Sequence, residues 1–278
     1  LYYVKTFVYT HIWLSCIAVF LTLECKQLFP DIHQSFYIFL FAGTSTLFAY
    51  NAHTLAVIHI KGVKNELGVW SIRHKWDIRI ACIIGLVISL YIIYFQMSGN
   101  QVFILIGSAL CWLLYEGYLI TFSKRKQRLL KVFPFMKNGI LAFVWLAITS
   151  LLPISANGFA WTTNSDYILL LIVRFFTFFL VTILFDYRDI SSDRMLDVKT
   201  MPAKFGINTT AYIAYVIALF LLVSLPFLQV GTYFVIIKII QISLLFFFLR
   251  TRNTTSFQAS MLLWDGILIL SPLTSLCI

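Results

Sequence analysis

Nine apolar runs of about bilayer-spanning length follow one another along the chain, at 7–23, 36–60, 78–97, 101–122, 138–153, 166–186, 209–229, 231–249 and 256–276. A helix rises about 1.5 Å per residue, so roughly 20 apolar residues cross a hydrocarbon layer about 30 Å thick. None of the runs alternates every second residue, as a barrel strand would. Each therefore reads as a helix that satisfies its own backbone hydrogen bonds. Pro30, Pro134, Pro153, Pro202, Pro226 and Pro272 sit at or near run ends, where a helix can stop without stranding a donor. The expectation is an all-α, polytopic membrane protein of about nine transmembrane helices. No repeat, low-complexity tract or linker divides it, so residues 1–278 read as a single domain. The first run reads as a span rather than a signal sequence, because Leu23-Glu24-Cys25 is a poor cleavage site.

Charge fixes the expected orientation. Only 12% of the 278 residues are charged and 60% are hydrophobic, too little polar material to cover a soluble surface. The formal net charge of +10 sits in alternate loops. Lys61, Lys64, Arg73, Lys75 and Arg79 follow the second run. Lys124, Arg125, Lys126, Arg128, Lys131 and Lys137 follow the fourth, Arg188, Arg194, Lys199 and Lys204 the sixth, and Arg250 and Arg252 the eighth. The other loops hold only Lys26. This asymmetry places the amino terminus in the cytoplasm and the carboxyl terminus outside, in an integral protein of the inner or plasma membrane. It also explains the net charge without nucleic acid as a partner. Five scattered cysteines with no CxxC pair imply neither disulfides nor zinc.

Four of the eleven acidic residues fall in one stretch: Asp186, Asp189, Asp193 and Asp197. At about 100° per residue they share an arc of about 80° at the end of the sixth run. Carboxylates so close repel one another, and the macrodipole disfavours them at a helix carboxyl end. A divalent cation that prefers oxygen ligands would hold them ionised. Magnesium commonly bridges one or two carboxylates to a phosphate.

The stretch Asp186-Tyr187-Arg188-Asp189-Ile190-Ser191-Ser192-Asp193-Arg194, continuing to Lys199-Thr200-Met201-Pro202 and Gly206, resembles the second aspartate-rich motif of the UbiA-type intramembrane prenyltransferases. The Lys137-Asn138-Gly139 opening of the fifth run and the nine-helix layout are similar too. The resemblance implies helices around a central cavity. It also implies transfer of a prenyl group from a prenyl diphosphate to a lipid-soluble acceptor, aromatic or otherwise, with Mg²⁺ as cofactor and the bilayer as surroundings. On this pattern Asp186, Asp189 and Asp193 are the expected metal ligands. Asp189, Asp193 and Lys199 are the expected catalytic residues, and Asn51, Arg73, Arg188 and Lys199 the expected diphosphate contacts. The first motif departs from the family. Its asparagine is Asn51, but Leu55 and His59 stand where the two aspartates belong, and no carboxylate lies between Asp31 and Glu66. The alternative is therefore a non-catalytic isoprenoid- or lipid-binding chain, or an assembly subunit, of the same fold.

Other ionisable residues lie inside the runs, where charge is costly. Lys238 and Asp265 are an expected interhelical pair, and Glu116 an expected buried, paired acid. Arg174 lies about 18 Å deeper than Asp186, too deep for a diphosphate. His53 points away from the face of Asn51, and no role is assigned to His11, His33 or His74.

Overall fold

The computed structural model describes residues 2–29, 35–61, 66–120, 134–158, 164–195, 200–228 and 230–251, with 263, 266–268 and 270. Throughout these the regular structure is helical. In chain order the helices are α1 (Tyr2–Tyr9), α2 (Ile12–Leu28), α3 (Phe36–Lys61), α4 (Glu66–Arg73), α5 (Lys75–Gln96), α6 (Gly99–Ile120), α7 (Pro134–Leu146), α8 (Leu152–Ile154), α9 (Ser165–Met195), α10 (Met201–Phe205), α11 (Ile207–Ser224) and α12 (Thr232–Thr251). The first eight apolar runs coincide with these helices. The ninth lies almost wholly outside the described residues.

Among the described residues, four helices are long and apolar enough to cross a membrane: Lys75–Gln96, Phe135–Ile154, Ser165–Arg188 and Ile207–Phe227. The pair Tyr3–Tyr9 and Ile12–Leu28 makes a fifth span if its 60° bend is counted within one crossing. Shorter apolar helices cover Gly99–Tyr115 and Phe234–Phe248. Of the four long spans, α9 is the most enclosed by its neighbours and α5 the least. On α5, Ile83, Val87, Leu90 and Tyr94 stand exposed. So large an apolar surface is stable only against lipid, and the protein is an integral membrane protein.

Close packing in lipid depends on small residues, since lipid tails are as apolar as leucine. Where α3 crosses α5, a Cβ on Gly85 would lie 2.7 Å from the Thr44 carbonyl oxygen and 2.8 Å from the Phe48 nitrogen. Beside this contact the hydroxyls of Thr44 and Ser89 meet at 3.0 Å. After α7 the chain makes a π-turn, Ala147–Leu151, before α8. Pro153 accounts for it: its ring clashes with the carbonyl four residues back, and one widened turn clears the conflict.

Deep in the bundle lies an ionic cluster. Arg174 donates to Glu24 Oε2 at 2.6 Å, to Ser150 Oγ at 2.8 Å and to the Leu21 carbonyl at 2.9 Å. Lys238 Nζ lies 3.3 Å from Glu24 Oε1 and donates to Gln241 at 3.1 Å. Lys238 thus pairs with Glu24 on α2; the expected partner Asp265 lies outside the described residues. The cluster joins α2, the π-turn, α9 and α12.

Candidate functional site

Two groups of polar side chains meet at the end of α9 that carries its acids. The first is built around Asp186. Because α9 runs unbroken to Met195, Asp186, Asp189 and Asp193 all fall on one helix, in the register their spacing requires. The Asp186 side chain is 1% exposed. Its Oδ1 accepts from Lys137 Nζ at 2.8 Å and its Oδ2 from Asn138 Nδ2 at 3.0 Å. Both donors come from the first turns of α7. Asn138 also reaches Met201 Sδ at 3.6 Å, and the rings of Phe135 and Phe205 lie 5.3 Å apart. Tyr187 donates its hydroxyl to the Ile207 carbonyl at 2.8 Å. Between them, α10 turns into α11 through Gly206, whose φ of 84° with ψ of 158° suits glycine alone. This corner therefore ties α7, α9, α10 and α11 together.

The second group sits where the chain breaks between α1 and α2 and leans on α3. His11 and Asn51 are buried there. His11 Nε2 and Thr54 Oγ1 are 3.0 Å apart, and Asn51 Nδ2 donates to the carbonyls of Thr10 and Leu47, both at 2.8 Å. The His11 ring faces Tyr50 at 5.4 Å, and Tyr50 accepts from Trp145 Nε1 at 3.1 Å. Arg188 connects the two groups. Its guanidinium lies 4.8 Å over the Phe185 ring, close enough to His11 to bear on it electrostatically.

The expected site residues are distributed as follows. Asp186, Arg188 and Asn51 come together at one end of the bundle. Arg73 lies on the exposed side of α4, while Trp70 and Ser71 on the other side are buried against the protein. Asp189 and Asp193 are placed by the backbone of α9, but their side chains lie outside the described set, as does Lys199 entirely. The Glu116 side chain is likewise outside it. Leu55, at the position of a missing acid, packs against Val8, Tyr9, Trp70 and Ile78. An aspartate there would have to leave water for an apolar cluster. His59 is exposed.

These positions test the fit of magnesium. The α3 side offers no carboxylate, and both oxygens of Asp186 are engaged by Lys137 and Asn138. Among the described residues no group of three acid, histidine or cysteine side chains is placed to hold a metal. The donor set does not fit a two-cation cage.

Sequence reasoning passed over His11 and the role of Lys137. His11 carries no motif, and Lys137, counted as a loop charge and within the Lys137-Asn138-Gly139 resemblance, gives no sign of its carboxylate partner until α7 sets it against α9.

No family model matches the sequence, and none of the curated proteins compared with it matches either. Solved structures do. A UbiA homolog from Archaeoglobus fulgidus bound to GPP and Mg²⁺ superposes with a TM-score of 0.64 at 13% identity, over 98% of this chain and 100% of that one. A structure of digeranylgeranylglyceryl phosphate synthase in membranes gives 0.55 at 15% identity, over 97% and 96%. Identity this low speaks for architecture alone, and the architecture is clear: this chain has the fold of the UbiA-type intramembrane prenyltransferases, as a divergent example of it.

Proposed function

We propose that the protein binds a prenyl diphosphate at the Asp186–Arg188 end of the bundle and transfers the prenyl group to a hydrophobic acceptor. The observation that carries this reading is the coincidence of fold and motif. Superposition spans nearly the whole chain, and Asp186, Asp189 and Asp193 fall on an unbroken α9 whose buried Asp186 is paired with the half-buried Lys137.

The chain's own residues supply two things the reaction needs. Ionising an allylic diphosphate requires positive charge at the leaving oxygens, and Arg188 and Lys199 are the groups proposed to provide it. The developing carbocation must be kept from water, and aromatic faces stabilise it. Tyr50, Trp145 and Phe178 form such a wall, with centroid separations of 6.3 Å along the row. Asp186 positions Lys137 and Asn138 rather than binding a cation. Asp189 and Asp193 would hold one magnesium ion, whose chemistry there is neutralisation of the diphosphate. In this reading the loops rich in lysine and arginine face the cytoplasm.

A second reading, binding without transfer, is favoured by the apolar packing of Leu55 in place of an acid. Incubating the purified protein with labelled prenyl diphosphates of several lengths separates the two. Binding with diphosphate release supports transfer, binding alone supports the second reading, and neither at any length would sink both. As a check on the cation, Asp189→Asn should flatten the dependence of binding on Mg²⁺ concentration. An unchanged dependence would remove Asp189 from the site.

A further inference from the structure

The apolar surface that α5 turns to lipid does not stop where that helix begins. Val69, Ile72, Trp76, Ile80 and Ile83 are all exposed, so the stripe runs from α4 into α5. The two helices keep one register across His74: its nitrogen donates to the Trp70 carbonyl at 3.0 Å, and Ile78 donates to the His74 carbonyl at 3.3 Å. At about 100° per residue the five apolar side chains fall within an arc of about 80°. Trp70, Ser71 and Ile78, on the opposite side, are buried against the protein. Trp76 is 71% exposed, and a ring so bare is at home at a membrane surface, where lipid takes its apolar body and the headgroup layer its N–H. Tyr91 and Tyr94 stand exposed near the other end of α5. Tyr94 lies about 27 Å along the helix from Trp76, close to the thickness of a hydrocarbon layer. The two aromatic ends therefore mark the two interfaces, and α4 continues from Trp76 into the headgroup layer.

Cations border the stripe. Arg73 and Arg79 lie about 60° to either side of its midline, with Lys75 next to Arg79. Arg73 and Lys75 are exposed, and the Arg79 guanidinium is held 4.9 Å over the Trp76 ring. Asp77 is the one acid among the described side chains from Leu67 to Arg79, and it is turned to His74 Nδ1 at 3.3 Å. This surface thus combines apolar side chains that face lipid with an excess of positive charge at headgroup level. A water-soluble partner would have to enter the bilayer to cover Ile80 and Ile83. A zwitterionic lipid would fill the stripe but bring the cations no net counter-charge. We propose that the α4–α5 elbow is a binding site for an anionic phospholipid, with the headgroup phosphate at Arg73, Lys75 and Arg79 and an acyl chain along Ile72, Trp76 and Ile80. The proposal is independent of the prenyl-transfer reading.

The test titrates the purified protein in a nonionic detergent with phosphatidylglycerol or with phosphatidylcholine of the same chains, and native mass spectrometry reads the bound lipid. Each basic residue near an anionic headgroup contributes about fivefold, and screening reduces the sum. The wild type should therefore favour phosphatidylglycerol about tenfold. The triple variant Arg73→Gln, Lys75→Gln, Arg79→Gln should bring the two lipids to within about twofold. A second triple variant of equal charge change, Lys124→Gln, Arg125→Gln, Lys126→Gln, should keep the preference. Equal affinities in the wild type would overturn the proposal, whether or not either variant folds. So would an undiminished preference in the first variant, or an equal loss in the second, which would make total charge rather than this surface the cause. Displacement of the bound lipid by geranyl diphosphate would also overturn it, because the three cations would then belong to the diphosphate.

Discussion

Glu24 faces two cations, Arg174 and Lys238, in a place where all three are nearly sealed from solvent. Buried ion pairs are held by geometry, and removing one partner leaves an uncompensated charge that costs about 3–5 kcal/mol. Among the described residues the cluster has one carboxylate for two positive groups, which makes its members unequal. Glu24→Gln strips both cations of their counter-charge and should lower the melting temperature in detergent steeply. Lys238→Met leaves a balanced Glu24–Arg174 pair, so its loss should be far smaller. Equal losses would mean that both positive groups need the carboxylate to the same degree. At this scale the sequence was a poor guide. Glu24 and Arg174 each stand out as charges inside apolar runs, but 150 positions separate them, and nothing local names the partner. Lys238 was expected to pair with Asp265 on the next helix, and the bundle brings it Glu24 from α2, which no spacing announces.

Among the described elements, α3 and α5 approach closely, and Gly85 is what permits it. Gly85→Ala must push the α3 backbone away, since Thr44 and Phe48 meet the new methyl with main-chain atoms that cannot rotate aside. Overpacking of this kind costs about 1–3 kcal/mol. Gly107 on α6 has nothing within 4 Å of its would-be Cβ. There an alanine should be neutral or stabilise by about 0.5–1 kcal/mol, because helical glycine is the entropically poorer choice. Thermal unfolding of the two variants side by side checks the sign of each effect. Helix existence was legible because apolar runs of this length admit no other backbone solution in lipid. Helix detail was not. The break at Thr10-His11 contains neither proline nor glycine, so only packing against α3 makes it. The basic segment after the second run reads as loop, yet it holds α4, where Tyr9 packs edge-on to Trp70 at 5.4 Å. Pro153 marked the end of a run, but its π-turn is a matter of how the helix relieves a clash.

Over the whole molecule, the common helical register of Asp186, Asp189 and Asp193 was legible from spacing alone, because α9 continues as one helix past the last apolar turn, while Asp197 lies outside the described residues. Lys137 was not, since a charge counted for topology gives no hint of a carboxylate 49 positions away. The loop asymmetry gives a prediction at this scale. A reporter active only in the cytoplasm, inserted in the segment 62–65, should signal, and the same reporter beside Ser98 should stay silent. The reverse pattern would invert the orientation and place the proposed diphosphate end on the opposite side of the membrane.

One consequence follows from how α9 is fastened. Arg174 locks its middle to α2 and the π-turn, while Asp186 and Tyr187 lock its tip to α7 and α11. A post bolted at two heights cannot swing. Any rearrangement of the bundle therefore has to pivot around this helix and leave it standing.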